Sequence, residues 1–281
     1  MTIAITGATG HLGQLVIEKL KQKVDASEIV ALVRTPAKAA GLGVATREAD
    51  YTRQDTLDVA LKGVDTLLLI SGNEIGQRAV QHENVIRAAV KNCVKRIVYT
   101  SLLHADKSPL NLAPEHVQTE QALKNSGLDY TILRNGWYSE NYTGSIAPAL
   151  GLGAFYGSAG EGKISSAPRE DYAEAAVVAL TGQGHEGKTY ELAGDEFYTL
   201  TDLAAEITAQ SGKDIPYRNI PEADYAAALK NAGLPDGFAE AIASWDTGAS
   251  QNALFDDSHV LSKLIGRKTT PIAVSVQKAL A

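Results

Sequence analysis

This 281-residue chain has only one cysteine, no long apolar run and no excess of positive charge. A single cysteine, Cys93, cannot form an internal disulfide, so we expect a cytoplasmic protein. No apolar run is long enough to cross a bilayer, and the first predicted strand begins at Thr2, so we expect neither a membrane anchor nor a signal peptide. The formal net charge of −7 argues against broad binding to nucleic acids or anionic membranes.

The motifs of hydrolytic and metal chemistry are also missing. No pair of histidines has the spacing of metal ligands, and with one cysteine we expect no metal site. No Gly-x-Ser-x-Gly nucleophile motif occurs in the sequence.

What the sequence does contain is a glycine-rich turn between a predicted strand, residues 2–5, and a predicted helix, residues 12–20. The spacing of Gly7, Gly10 and Gly13 suits a sharp bend, close approach of the backbone to a pyrophosphate, and packing of helix on strand. The helix N-terminus directs its N–H groups and positive dipole end at the phosphates. We therefore predict that a dinucleotide contacts Gly7, Ala8, Thr9, Gly10, His11, Leu12 and Gly13.

Arg34 stands where the adenosine ribose of a dinucleotide is expected, at the end of a buried-strand run over residues 28–33. An NAD site usually places an acidic residue here for the ribose 2′-hydroxyl. A guanidinium instead makes charge-assisted bonds to a 2′-phosphate, and Lys38 follows one turn later. The sequence therefore favours NADP(H) over NAD(H), with an exposed loop arginine as the alternative interpretation.

Further predicted strands at residues 44–48, 66–70, 94–100 and 128–133 alternate with helices, which predicts an α/β fold with a Rossmann-type, doubly wound parallel sheet. Ligands bind at the carboxyl edge of such a sheet. Asp50 is a candidate acceptor for the adenine amino group, or else a helix-capping or turn residue. The other cofactor contacts expected at this edge are Ser71, Gly72, Asn73, Thr100 and Ser101.

Beyond Tyr142 the pattern loosens into strand-like pieces at residues 154–156, 163–165 and 189–192, and helices near residues 169–181, 201–211, 223–232, 238–244, 258–265 and 271–280. We divide the chain into a Rossmann domain, residues 1–140, to which later segments return, and a smaller α/β lobe, residues 141–281. No Pro/Ser-rich linker separates them, so we expect the lobe to be interleaved with the main sheet, to lie over the cofactor and to bind substrate. The sequence is compatible with a homodimer.

An aromatic and polar stretch, residues 135–142, follows the sixth predicted strand. Trp137, Tyr138 and Tyr142 are candidates for stacking against a flat ring, with Trp137 and Tyr142 expected to bind substrate. Alternatively these aromatics anchor the lobe, with Trp137 the more structural and Tyr138 or Tyr142 the more exposed. Contacts to the nicotinamide end of the cofactor are expected from Asn135, Gly136, Trp137, Tyr138, Ser139 and Glu140.

The sequence lacks the tyrosine–lysine pair that often supplies a proton in this fold, and this absence limits the choice of acceptor. Many reductases of this fold use a tyrosine with a lysine four residues later, and the lysine lowers the pKa of the tyrosine that protonates the substrate. None of the eleven tyrosines has such a lysine; Tyr99 is followed at that distance by Leu103. Reducing a simple ketone makes a strongly basic alkoxide, whereas reducing a quinone makes an anion spread over a ring, for which orientation of the hydride suffices. We therefore favour a quinone or another electron-poor conjugated acceptor.

The sequence offers several candidate proton donors. His104 follows the fifth predicted strand at the ligand-binding edge, and His116 lies early in the next helix. Each is a candidate donor, or simply a polar residue near a helix start. Tyr138 is a further candidate, and water is the donor if none of them acts. We expect His11, inside the phosphate turn, to be exposed.

Taken together, these residues resemble the NmrA-like branch of the atypical short-chain dehydrogenase/reductases, and within it the bacterial NAD(P)H:quinone oxidoreductases. The likeness runs almost end to end, through residues 5–13, 49–51, 99–106, 133–142, 190–195, 248–250 and 254–258. It implies NADPH held by residues 7–13, Arg34 and residues 135–140, a quinone above the nicotinamide, and no flavin.

The same resemblance carries two alternatives. Triphenylmethane-dye reductases look like more distant relatives, so dye or enone reduction is a second substrate class. Some NmrA-like proteins keep the nucleotide site and act as redox sensors that bind partner proteins. Lack of the Tyr/Lys pair is common to both kinds and does not separate a sensor from an enzyme.

Overall fold

Nine strands build the two sheets of this computed structural model, which describes residues 1–281. In chain order they are β1 (Ile3–Ile5), β2 (Ile29–Val33), β3 (Ala45–Glu48), β4 (Thr66–Leu69), β5 (Arg96–Leu102), β6 (Asp129–Asn135), β7 (Phe155–Gly157), β8 (Lys188–Leu192) and β9 (Tyr217–Asn219). Seven of them form one sheet in the order β3-β2-β1-β4-β5-β6-β8. Every pairing from β3 to β6 is parallel, and β7 pairs with β9 in a separate parallel sheet.

Twelve α-helices accompany the strands. They are α1 (His11–Leu20), α2 (Gln54–Ala60), α3 (Arg78–Lys91), α4 (Ala113–Asn125), α5 (Ser139–Thr143), α6 (Ile146–Leu152), α7 (Arg169–Thr181), α8 (Leu200–Ser211), α9 (Glu222–Asn231), α10 (Asp236–Ser250), α11 (Val260–Ile265) and α12 (Ile272–Leu280). Two short 3₁₀ helices cover Ala26–Glu28 and Pro36–Leu42. None of the helices combines the length and hydropathy that a membrane span requires.

The central strands are buried on both faces. All residues of β1, β2, β4 and β5 are inaccessible or nearly so, as in a parallel sheet covered by helices on both sides. The predicted Rossmann-type sheet is therefore confirmed. Its strand order reverses between β1 and β4, and ligands of open α/β sheets bind at the carboxyl ends of the strands at this reversal.

Two expectations for the later chain need correction. Residues 163–165 do not form a strand, because Ile164 bonds to the Tyr198 carbonyl whereas the next N–H, of Ser165, bonds to Leu254. Successive amides thus pair with different segments rather than with one neighbouring strand. Helices α5 and α6 were not expected, since both are short and α6 contains Pro148 in its first turn, where a missing N–H removes no helical bond. The predicted helix over residues 169–181 is confirmed.

The chain divides into two compact units. The first contains Met1–Asp106, Leu112–Asn135 and Arg169–Glu191, and so holds most of the main sheet. The second contains Lys107–Asn111, Gly136–Pro168 and Leu192–Ala281. The domain boundary after residue 140 that the sequence suggests stays a prediction.

A buried carboxylate ties three segments of the second unit together. Asp246 on α10 accepts one hydrogen bond from the Tyr142 hydroxyl and one from the Ser158 backbone N–H, both at 3.0 Å. Burial raises the pKa of Asp246 to about 6, because apolar surroundings penalise the charged form.

Asp246→Asn tests this environment. The folded-state pKa of Asp246 lies above that of an unfolded aspartate, so its contribution favours folding at low pH and is lost as pH rises through about 6. Between pH 7 and pH 4.5 we expect the stability of the wild type to improve by about 2 kcal/mol relative to the variant. Urea unfolding of both proteins at the two pH values measures this difference. A difference that does not change with pH would show that Asp246 does not titrate in this window.

Candidate nucleotide-binding and catalytic site

The turn after β1 is packed so tightly against α1 that Gly13 has no room for a side chain. Gly7 has a φ of +58°, and the Gly10 N–H donates to the Gly7 carbonyl oxygen at 2.9 Å. A Cβ added to Gly13 would lie 2.4 Å from the Gly7 oxygen and 2.8 Å from the Cα of Ala8. The first turn of α1 therefore sits directly against the bend, as a pyrophosphate-binding turn requires.

This turn is also fixed to the neighbouring strand. The Thr6 hydroxyl donates to the Leu68 carbonyl oxygen at 3.0 Å and accepts from the Ile70 N–H at 2.9 Å. The first-turn N–H groups of a helix have no intrahelical acceptors, and together with the helix dipole they bind anions. The residues present thus fit a pyrophosphate at the N-terminus of α1, where His11 is exposed as expected.

The loop after β4 is held by side chains that sequence reasoning missed. The Gly72 N–H donates to Nε2 of His82 at 2.9 Å, and Nε of Arg78 donates to the Gly72 carbonyl oxygen at 2.7 Å. Burial lowers the pKa of His82 to about 3, so the ring is neutral and carries its proton on Nδ1, 3.0 Å from the Thr119 hydroxyl. A polar residue on a buried helix face was the available signal.

At this edge of the sheet, Ser71 and Thr100 are hydrogen-bonded to each other. The Thr100 hydroxyl accepts from the Ser71 N–H at 2.9 Å, which ties the end of β4 to β5. Asn73 is exposed two residues further along the loop. The contacts of Ser71, Gly72, Asn73 and Thr100 with a dinucleotide stay predictions.

The ribose end of the predicted site carries both signs of charge. Arg34 follows β2 directly, its side chain is 69% exposed, and its Nη1 lies 3.4 Å from Oε1 of Glu74. Lys38 is exposed in the 3₁₀ helix Pro36–Leu42. Both cations are thus accessible to a 2′-phosphate.

Asp50 has the turn-forming role that was weighed against adenine binding. Its Oδ1 accepts from the Thr52 N–H at 2.9 Å and from the Thr52 hydroxyl at 2.7 Å. Burial raises the pKa of Asp50, but these two bonds and attraction to Arg34 outweigh it, so the pKa lies below its ordinary value. A contact to adenine stays a prediction.

Beneath the carboxyl ends of β5 and β6, a buried guanidinium gathers three carboxylates. Arg134 donates to both carboxylate oxygens of Glu120, at 2.9 and 2.8 Å, to Glu191 at 2.8 Å and to Asp106 at 2.6 Å. The Ser101 hydroxyl donates to the same Glu120 at 2.7 Å. Ser101 is thus buried and bonded within the protein, which gives it a positioning role here.

Of the two histidine candidates, the structure favours His104. Its backbone, at a φ of +52°, donates to Oε2 of Glu191 at 2.8 Å, and its Nδ1 lies 3.6 Å from the same oxygen, with the side chain 22% exposed. His116 instead is buried, and its Nδ1 lies 2.7 Å from the Tyr99 hydroxyl. Burial lowers the pKa of His116 well below its ordinary value, and its bond to Tyr99 favours the alternative of a polar residue near the helix start.

The aromatics that follow β6 belong to the second unit and are less exposed than expected. Tyr142 is buried and bonded to Asp246, so of Tyr138 and Tyr142 it is not the exposed one, and stacking of Tyr142 on a substrate stays a prediction. The Trp137 ring meets the Trp245 ring edge-on, with centroids 5.7 Å apart, which favours the anchoring alternative. Tyr138, the residue before α5, is only half-buried.

The other residues of the same stretch are bonded within the protein or partly buried. The Asn135 carbonyl oxygen accepts from Leu103 at 2.9 Å, and the Gly136 N–H donates to Leu192 at 2.7 Å. Ser139 is fully buried, with its hydroxyl 3.0 Å from that of Ser166. Glu140 on α5 is half-buried. Contacts of these residues with a nicotinamide stay predictions.

No group of three His, Cys, Asp or Glu side chains is arranged to hold a metal ion.

Comparison with known proteins agrees with this geometry. A family model described as NAD(P)H-binding matches residues 7–183. The chain belongs to this NAD(P)H-binding family. Quinone oxidoreductase 2 of Escherichia coli strain K12 is 61% identical to this chain, over 98% of the chain and 97% of its own length. The likeness to the quinone oxidoreductases inferred from the sequence is therefore confirmed.

Solved structures give the same result. The crystal structure of NADPH-dependent quinone oxidoreductase from Escherichia coli complexed with NADPH matches with a TM-score of 0.97 and 59% identity, covering 100% of both chains. The Citrobacter sp. triphenylmethane reductase complexed with NADP(H) matches with a TM-score of 0.95 and 39% identity, covering 99% of this chain and 100% of the reductase.

Gly13→Ala tests the packing of the turn. We expect the added methyl group to push α1 away from Gly7 and weaken NADPH binding at least tenfold, because the misplaced N–H groups no longer meet the pyrophosphate. The matched control is Gly41→Ala, since a Cβ at Gly41 would meet nothing within 4 Å. Fluorescence titration with NADPH, at a temperature where both variants are folded, measures the effect. Equal affinities in the two variants would contradict the assignment.

Proposed function

We propose that this protein reduces quinones by two electrons with NADPH, through direct hydride transfer and without flavin. The full-length likeness to quinone oxidoreductase 2, 61% identity over 277 residues, carries the proposal for the acceptor. The glycine turn at the strand-order reversal supports it for the cofactor. When bound, NADPH supplies the hydride.

The residues of the first unit have separate tasks in this proposal. The N–H groups at the start of α1 bind the pyrophosphate, and the bonds of Thr6 keep them in place. Arg34 binds the 2′-phosphate, with Lys38 adding a second exposed cation. His82 and Arg78 hold the loop at Gly72 in one conformation. The protein thus contributes orientation, which is the main requirement for hydride transfer to a reactive acceptor.

Proton delivery is a smaller task. Two-electron reduction of a quinone leaves an anion whose charge spreads over the ring, so the proton donor contributes less than with a ketone. In the first unit His104 is the proposed donor, held beside Glu191 at the carboxyl end of β5. In the second unit Tyr138 is the alternative.

Turnover is the first measurement. Purified protein mixed anaerobically with NADPH and a panel of quinones, with no flavin added, should consume NADPH only when an acceptor is present. A triphenylmethane dye and an enone in the same panel separate the alternative substrate classes. If NADPH binds but no acceptor is reduced, the enzyme proposal fails and the redox-sensor alternative replaces it.

His104→Gln and Tyr138→Phe identify the donor. We expect His104→Gln to lower kcat about tenfold, below the usual range for a general acid because the hydroquinone anion is a weak base. His259→Gln is the matched control, since His259 also has a positive φ, +56°, and is half-exposed. Unchanged kcat in His104→Gln and a lowered value in Tyr138→Phe would reassign the role, and no change in either would make water the donor.

Two further properties belong to the proposal. Cys93 is exposed and makes no disulfide, which suits the reducing cytoplasm. A homodimer is the assembly to look for by sedimentation.

A further inference from the structure

We propose that Glu74 limits the preference of this protein for NADPH over NADH by holding Arg34 in an internal ion pair. The inference rests on the proposed function, in which Arg34 binds the 2′-phosphate.

The Glu74 carboxylate is oriented by a buried partner. Its Oε2 accepts a hydrogen bond from Nε2 of Gln81 at 2.7 Å, and Gln81 on α3 is only 6% exposed. Its other oxygen, Oε1, lies 3.4 Å from Nη1 of Arg34. One oxygen thus anchors the side chain, and the other is directed at the guanidinium.

The loop that carries Glu74 is itself held in place. Both carboxylate oxygens of Glu115 accept backbone N–H groups from the segment after Glu74, that of Gly76 at 3.1 Å and that of Ala79 at 3.4 Å. The Gln77 N–H donates to the Glu74 carbonyl oxygen at 3.1 Å. Glu74 therefore lies next to Arg34 because of the fold rather than through a chance approach of two long side chains.

This pair treats the two cofactors differently. A 2′-phosphate carries close to two negative charges, so it must share the guanidinium with Glu74 and is repelled by the carboxylate. A 2′-hydroxyl is a donor that a carboxylate accepts, which is the contact typical of NAD sites. Glu74 therefore weakens NADPH binding without weakening that of NADH. Asp50, which Arg34 also attracts, adds to the negative charge at this end.

The test uses nucleotides that lack the nicotinamide, so that turnover plays no part. Adenosine 2′,5′-bisphosphate and 5′-AMP differ only in the 2′-phosphate. In Glu74→Gln, calorimetric titration at low ionic strength should show the bisphosphate binding about 2- to 5-fold more tightly, as expected for an exposed ion pair. The affinity for 5′-AMP should be unchanged or lower. Glu83→Gln, which removes one exposed charge on α3, should change neither.

Arg34→Ala distinguishes failure of the 2′-phosphate assignment from failure of the Glu74 proposal. If it weakens both nucleotides equally, the 2′-phosphate assignment fails, and the role of Glu74 fails with it. If it weakens only the bisphosphate while Glu74→Gln leaves the ratio of affinities unchanged, the assignment stands and the Glu74 proposal is overturned. In Arg34→Ala/Glu74→Gln we expect the gain from Glu74→Gln to shrink; a gain of full size would overturn an effect through the ion pair.

Discussion

The buried guanidinium of Arg134 is the interaction on which this edge of the sheet depends. A buried cation is tolerated only with close partners, and Arg134 has a bidentate bond to Glu120 together with Glu191 and Asp106. These partners come from α4, β8 and the segment after β5, so a single side chain joins all three. Through Glu191 it also fixes the backbone of His104, the proposed donor, in its left-handed conformation.

Neutral imidazoles complete the support beneath the nucleotide loops. Burial lowers the pKa of His82 to about 3 and that of His116 well below its ordinary value, so the neutral form of each ring is favoured. The hydrogen bond from Gly72 to His82 needs an unprotonated Nε2. A neutral His82 thus keeps its bond to Gly72 at neutral pH.

The local parts of this structure could be predicted from the sequence, whereas the long-range pairings could not. The glycine spacing and the strand–helix alternation are properties of short segments, and they predicted the turn and the sheet. The burial of Tyr142 depends on Asp246, 104 residues away, and that of Ser101 on Glu120. The sequence did not predict a functional role for Glu74, because that role depends on a contact with Arg34, 40 residues earlier in the chain. Such pairings exist only once the chain has folded.

Tyr99 shows why the missing acid matters for the choice of acceptor. It lies in the middle of β5, fully buried, with its hydroxyl 2.7 Å from His116. Burial raises the pKa of Tyr99 well above its ordinary value, so its proton is held rather than donated. Because the Tyr99 hydroxyl is buried in the core, the acceptor itself must stabilise the negative charge that hydride transfer brings. A quinone does so in its own ring, and a simple ketone does not.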